Sequence, residues 1–270
     1  MNYTRLIERY SSTLYITMRY TLKYRMELVT NLLKTLISPF AVIILWSSAY
    51  IATGVTSING FSNSILFSYF IISSAVAGTA ISSTLANRIQ NDVQTGYISV
   101  HLIKPVNYIW YRIMDNLGVF FLDMMVTLLP ILLLVMVFFH PSITLLAFIE
   151  FIIELILISI MTGMIFIMVG TLSVYLVSIG GITNIILWTF NVLGGRLIPL
   201  NVMPDGIKTL LEKTPIYLIY YLPSATFTGL VNQQFILNGI LNLVIWIGVF
   251  GFCAFIVWSA SKKRLFAAGG

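Results

Sequence analysis

Six predominantly apolar runs recur along this chain, at 28–53, 62–86, 113–138, 142–177, 182–195 and 236–259. About 20 apolar residues wound as helix cross the hydrocarbon core of a bilayer. A chain with this many such runs has no water-soluble fold that hides them all. Hydrophobic residues make up 59% of the sequence and charged residues only 9%, against roughly 25% charged in a soluble domain. In lipid every backbone polar group must be satisfied internally, so the runs are read as helices. The expectation is an all-α membrane protein, a single transmembrane domain over 1–270 with six transmembrane helices.

The segments between the runs are more particular. In 1–27, apolar and aromatic residues recur at Tyr3, Leu6, Ile7, Tyr10, Leu14, Tyr15 and Met18, with arginines and Glu8 between them. Spacings of three and four put the apolar set on one helical face, which predicts an amphipathic helix in the membrane interface. A secretory leader would need a compact apolar core, and this stretch lacks one. The run at 62–86 is rich in Ser, Ala and Gly, residues that let helices approach closely in lipid. The polar segment 87–112 holds Gly96, which suits a helix end, and Pro105, which suits the start of another element. In 196–233, prolines and charges punctuate apolar runs too short to span and too apolar for a free loop. Short re-entrant or interfacial helices on the outer side fit that pattern.

Basic residues orient the whole. Five lie in the N-terminal segment, three in 87–112 (Arg88, Lys104, Arg112) and three follow the last run. The positive-inside rule places both termini and 87–112 in the cytoplasm, which requires an even number of crossings. The net charge of +6 is thereby explained without nucleic acid. The expected location is the plasma membrane, in multi-pass form.

Chemistry-bearing groups are sparse. Cys253 is the single cysteine, and His101 and His140 fall in different segments, so no metal cluster is expected. Gly180-Gly181 and Gly194-Gly195 lack the lysine and hydroxyl of a phosphate-binding loop. If ATP drives this protein, another chain binds it. No catalytic residue is identified. Intramembrane carboxylates are functional candidates by default. Glu150 and Glu154 are four apart and share a helix face. They are either a proton- or cation-coupling pair or a structural pair held by polar neighbours. Asp123 carries the same two readings. Asp115 with Arg112 reads as a surface ion pair of little net worth. Tyr217, Tyr220 and Tyr221 are candidates for an outer gate or for headgroup anchoring.

Two local patterns carry a resemblance. The segment Asn87-Arg88-Ile89-Gln90-Asn91-Asp92-Val93-Gln94-Thr95-Gly96-Tyr97-Ile98, followed by Leu102-Ile103-Lys104-Pro105, is similar to the pattern I-x-x-D-I-x-x-G-x-I-x-x-x-L-x-K-P, with Val93 at its second isoleucine. Leu193-Gly194-Gly195-Arg196-Leu197-Ile198-Pro199-Leu200, with Met203-Pro204, has the form G-x-x-I-P-L-x-x-x-P. Both, and the layout of nearly the whole chain, resemble the permeases of type-2 ABC exporters. The resemblance implies two such permeases, identical or homologous, side by side above two cytoplasmic ATPase subunits that bind ATP and magnesium. It makes 87–105 the coupling helix, with Arg88, Gln90, Asp92, Gly96, Tyr97, Lys104 and Pro105 as coupling residues. It gives Arg196, Pro199 and the three tyrosines to the path or its outer lid, with spans one, two and five lining the path. The implied activity is export of an amphiphilic, drug-like or lipid-linked substrate from the cytoplasm or inner leaflet by alternating access. The alternative from the residues alone is an ion-coupled secondary transporter using Asp123, Glu150 and Glu154.

Overall fold

The computed structural model describes residues 3–54, 57–58, 61–103, 107–141 and 143–268. Helix α1 (Tyr3–Lys23) leads through a one-residue break into α2 (Arg25–Thr53). A minimal hairpin, β1 (Ser57–Ile58) against β2 (Phe61–Ser62), turns the chain into α3 (Asn63–Thr79). Then come α4 (Ser83–Gln94), α5 (Tyr97–Ile103), α6 (Tyr108–Asp123) and α7 (Leu129–Phe139). Helix α8 (Leu145–Thr171) is followed by α9 (Gly180–Leu193), α10 (Asp205–Leu211), α11 (Tyr217–Thr228) and α12 (Gln233–Ala268).

Among the described residues, five stretches are long and apolar enough to cross a membrane: Met26–Ala52, Ser64–Gln94, Tyr108–Phe139, Leu145–Val174 and Gln233–Leu265. The run expected at 182–195 is helical as α9, but its 14 residues fall short of the roughly 20 that a full crossing takes. Helix α8 is the central post, with α4, α11 and α12 packed on it.

Two spans that read as continuous are interrupted. The second breaks between Thr79 and Ser83. Thr162 Oγ1 donates to the Ala80 carbonyl at 2.9 Å, and Ser82 Oγ donates to the Ser159 carbonyl at 3.3 Å. The Thr162 hydroxyl thus satisfies a carbonyl that the broken helix leaves unpaired in lipid, and Ser82 ties the break to α8. The third widens into a π turn at Met124–Leu128. Pro130 follows at the start of α7. Proline has no N–H to donate, and a wider turn there relieves its clash with the preceding turn.

Helix α1 does more than lie on a surface. It packs along α6, where a Cβ on Gly118 would meet the Leu14 carbonyl oxygen at 2.8 Å. Only glycine allows that approach. The opposite face of α1 leaves Tyr15, Ile16 and Tyr20 exposed.

Candidate functional site

Helices α4 and α5 form one helix–turn–helix around Gly96, whose φ of +73° favours glycine. Helix α4 carries Leu85, Ala86, Ile89 and Asp92 on one buried face. Asp92 is 5% exposed and Arg112 on α6 is 6% exposed, and the two are ion-paired. The Tyr108 hydroxyl donates to the same Asp92 oxygen at 2.5 Å. Arg112 also reaches Asp115 Oδ2 at 2.9 Å, and Arg88 reaches that oxygen at 3.1 Å. Thr17 of α1 donates to Asp115 Oδ1 at 2.8 Å. The Arg112 guanidinium lies over the rings of Tyr108 and Tyr111, 5.5 and 5.4 Å from their centroids. Tyr108 stacks on Trp258 of α12 at 4.8 Å.

The expected surface pair is therefore corrected. Arg112 and Asp115 lie inside a buried network joining α1, α4 and α6. The missing term was Asp92, 20 residues away in sequence from Arg112 and its partner in space. Helix spacing reveals partners three or four apart and is silent about partners on other helices.

The same helix clamps the entry to α9. Gln90 Oε1 accepts from the Ile179 backbone N–H at 3.2 Å, and Gln94 Nε2 donates to the Val177 carbonyl at 2.9 Å. Of the sequence-named coupling residues, Arg88, Gln90 and Asp92 are thus occupied within the chain. Gly96 and Tyr97 stand exposed at the turn, with Ser99 and Val100 beside them. Nothing in the sequence marked Ser99 or Val100. Lys104 and Pro105 lie outside the described residues.

A second region is built at the far end of α9. Three hydrogen bonds from other helices hold the turn 194–197 in place. Tyr69 OH donates to the Gly195 carbonyl at 2.6 Å, Trp46 Nε1 donates to the Leu197 carbonyl at 3.2 Å, and the Tyr221 backbone N–H donates to the Gly194 carbonyl at 2.9 Å. Gly195 has φ +95°, and a Cβ there would meet Tyr221 Cβ at 2.8 Å and Tyr69 Oη at 2.9 Å. From this turn Arg196 donates to Asn191 Oδ1 at 3.0 Å and to Ser38 Oγ at 3.1 Å. A cavity of about 190 Å³ opens there, walled by Ser38, Pro39, Phe70, Ser74, Trp188 and Arg196. Pro199 is buried. Tyr217, Tyr220 and Tyr221 are also buried, at 4%, 1% and 2% exposure, by the chain's own helices. Arg196 lies 6.0 Å from the Tyr220 ring centroid.

The three intramembrane carboxylates separate. Glu150 and Glu154 face the bundle, where Glu150 accepts from Gln233 and Glu154 Oε1 accepts from Thr226 at 2.9 Å. They join α8 to α11 and to the start of α12. Asp123 stands apart, at the mouth of the π turn. It accepts from Asn31 at 3.4 Å and lines a polar cavity of about 690 Å³ with Glu27, Lys34, Arg88 and Asn91.

The model of one protein family, described as an ABC-2 family transporter protein, matches residues 36–269. This chain belongs to the ABC-2 transporter family. Membership makes it a multi-pass membrane transport subunit of the ABC permease kind and not itself a catalytic enzyme. No curated protein matches the chain. The matched span of this ABC-2 transporter includes the helix–turn–helix at Gly96, the Arg196 turn and all three carboxylates, and leaves α1 outside.

Proposed function

We propose that this chain is the membrane subunit of an ATP-driven exporter that moves an amphiphilic, drug-like or lipid-linked substrate outward. ATP and magnesium are bound by separate cytoplasmic ATPase subunits, and the chain itself carries no cofactor. The observation that supports this best is the wiring of α4. It is tied to α6 by ion pairs, through Asp115 of α6 to Thr17 of α1, and to the entry of α9 by Gln90 and Gln94. A push on the exposed α4–α5 turn would move all three together. Closure of an ATPase pair beneath that turn would bias the permease between inward-open and outward-open states. Family membership favours this reading over the ion-coupled one.

The topology is read as six crossings, the sixth composite. Helix α9 starts beside α4 and ends at Gly194, which bonds to Tyr221. Helix α11 carries the chain onward from Tyr217 to Thr226, level with Glu154, and Gln233 then meets Glu150 near the start of α8. Together α9 and α11 cover one crossing, and α10 with the loops around it forms the outer re-entrant segment. Both termini then share one side, and the basic residues assign it to the cytoplasm of the plasma membrane. The exposed apolar residues of α2 and α9, among them Ile37, Phe40, Ile44, Ile185 and Trp188, would face lipid or a second permease, identical or homologous, across the path.

A gentle-detergent pull-down of the tagged protein, with ATPase activity assayed on the eluate, tests the reading. A co-eluting ATPase that is lost with Val100→Asp supports it. Transport driven by an ion gradient with no ATPase attached overturns it.

A further inference from the structure

From the Arg196 turn we infer a binding site for the anionic headgroup of an amphiphile, at mid-membrane depth on the face formed by α2, α3 and α9. This rests on the exporter reading above and narrows its substrate class. The depth comes from Ser38, which lies 13 residues from Arg25 and 15 from Thr53 in α2, so roughly 20 Å from either end at 1.5 Å per residue. A guanidinium stays charged at any physiological pH, and a charge held at that depth is costly unless something answers it. Its hydrogen-bond partners, Ser38 and Asn191, are neutral. Among the described residues no carboxylate lies within 4.0 Å of it, whereas Arg88 has Asp115 and Arg112 has both Asp92 and Asp115.

A second copy of this chain does not supply the missing charge across that face. Helix α2 holds one acidic residue, Glu27 in its first turn, and α3 and α9 hold none. In an assembly of identical copies the counter-charge therefore comes from a ligand. The turn is also rigidly built, held by Tyr69, Trp46 and Tyr221. Preorganised guanidinium donors match phosphate and carboxylate oxygens. The cavity of about 190 Å³ takes a headgroup and little more. The tail would then lie along the exposed apolar side chains of α2 and α9. Apart from Ser74 the pocket is apolar on its other walls, Pro39, Val42, Phe70 and Leu197, which suits the first carbons of a chain and disfavours a highly hydrated polyanion.

Trp188 lines the cavity and reports on it. The experiment replaces Trp110, Trp246 and Trp258 with Phe, keeps Trp46 because it holds the turn, places the chain in detergent micelles, and titrates the fluorescence of Trp188 and Trp46 with dibrominated phosphatidic acid or dibrominated phosphatidylcholine. The acidic lipid is expected to quench at about tenfold lower mole fraction, a charge-assisted bond's worth of preference. Arg196→Gln should bring the two lipids level, and Arg196→Lys should keep part of the preference. If the three-fold replacement does not fold, binding of a fluorescent phosphatidic acid to the chain with its native tryptophans, against the same two Arg196 variants, reads the same preference. Equal quenching by both lipids, or a preference that survives Arg196→Gln, overturns the site. Competition by millimolar inorganic phosphate would overturn the amphiphile in favour of a free anion. No ATPase is present in this assay. A lipid preference without a co-purifying ATPase would therefore leave the site standing and remove the exporter reading, and the reverse result would do the opposite.

Discussion

Two regions of this membrane protein hold arginine away from water in opposite ways. At the α4–α6 end, Arg112 has carboxylates on two sides, a tyrosine hydroxyl and two aromatic faces. At the Arg196 turn the guanidinium has two neutral acceptors, one ring and an open cavity. A fully paired charge has little left to offer a ligand, and its partners are fixed by it. That suits a joint that transmits movement. A charge left without a carboxylate keeps its field for something that arrives. The contrast separates a mechanical region from a recognition region within one chain.

The largest test of that contrast is Arg112→Met. It strands Asp92 and part of Asp115 in a buried setting, and breaking a buried pair costs about 3–5 kcal/mol. Thermal unfolding followed by size-exclusion chromatography should show a marked loss of the monodisperse species. Removing Asp92 as well, as Asp92→Leu with Arg112→Met, should recover part of that loss, because two mutually dependent charges do not add. Full additivity of the two replacements would mean that the joint is not a joint.

Next in size is Gly118→Val. The Leu14 carbonyl oxygen is 2.8 Å from where even a Cβ would stand, so α1 must move away from α6. Overpacking of this kind costs about 1–3 kcal/mol. The readout is proteolysis at the basic residues of α1, which should speed up while the remaining fragment stays folded. An unchanged cleavage rate would show that α1 is not docked through this contact.

These two sites also show what the sequence made legible. Apolar run length exposed the spans because lipid imposes it directly. The apolar periodicity of 3–18 exposed α1 as a helix. It did not show that one face of α1 is spent on α6, since that depends on Gly118, a residue 104 positions beyond Leu14. Gly96 gave away the helix–turn–helix because a left-handed φ there has a local signature. Asp92 was picked out by its place in a pattern, yet the pattern reads as a docking surface and the side chain points inward to Arg112. Arg196 was legible as a residue of the outer segment. Its depth was not, because it is set by Tyr69, Trp46 and Tyr221 reaching in from three other helices. Long-range pairing decides both sites, and hydropathy carries no record of it.

A smaller effect is expected from Thr226→Val. It removes the donor to Glu154, a single buried hydrogen bond worth about 1 kcal/mol. Glu154→Gln keeps an acceptor for the same hydroxyl and should be milder still. If Glu154→Gln instead abolishes transport while the protein stays folded, the carboxylates do more than join α8 to α11, and the ion-coupled alternative returns.

The smallest expected effect on stability is at Arg196 itself, and it is the sharpest test of the contrast. Arg196→Met strands no carboxylate, since none lies within 4.0 Å among the described residues. The freed groups are Ser38 Oγ and Asn191 Oδ1. Ser38 can keep its hydroxyl bonded within α2, and Asn191 lies beside an open cavity. Hydrogen bonds of this kind are worth about 1 kcal/mol net, so the unfolding midpoint should stay close to that of the parent chain. The same substitution type at Arg112 costs several times more. A recognition charge should therefore be cheap to lose for folding and expensive to lose for transport. If Arg196→Met instead destabilises the chain as much as Arg112→Met does, the arginine at the turn is a second structural clamp, and both regions obey one rule.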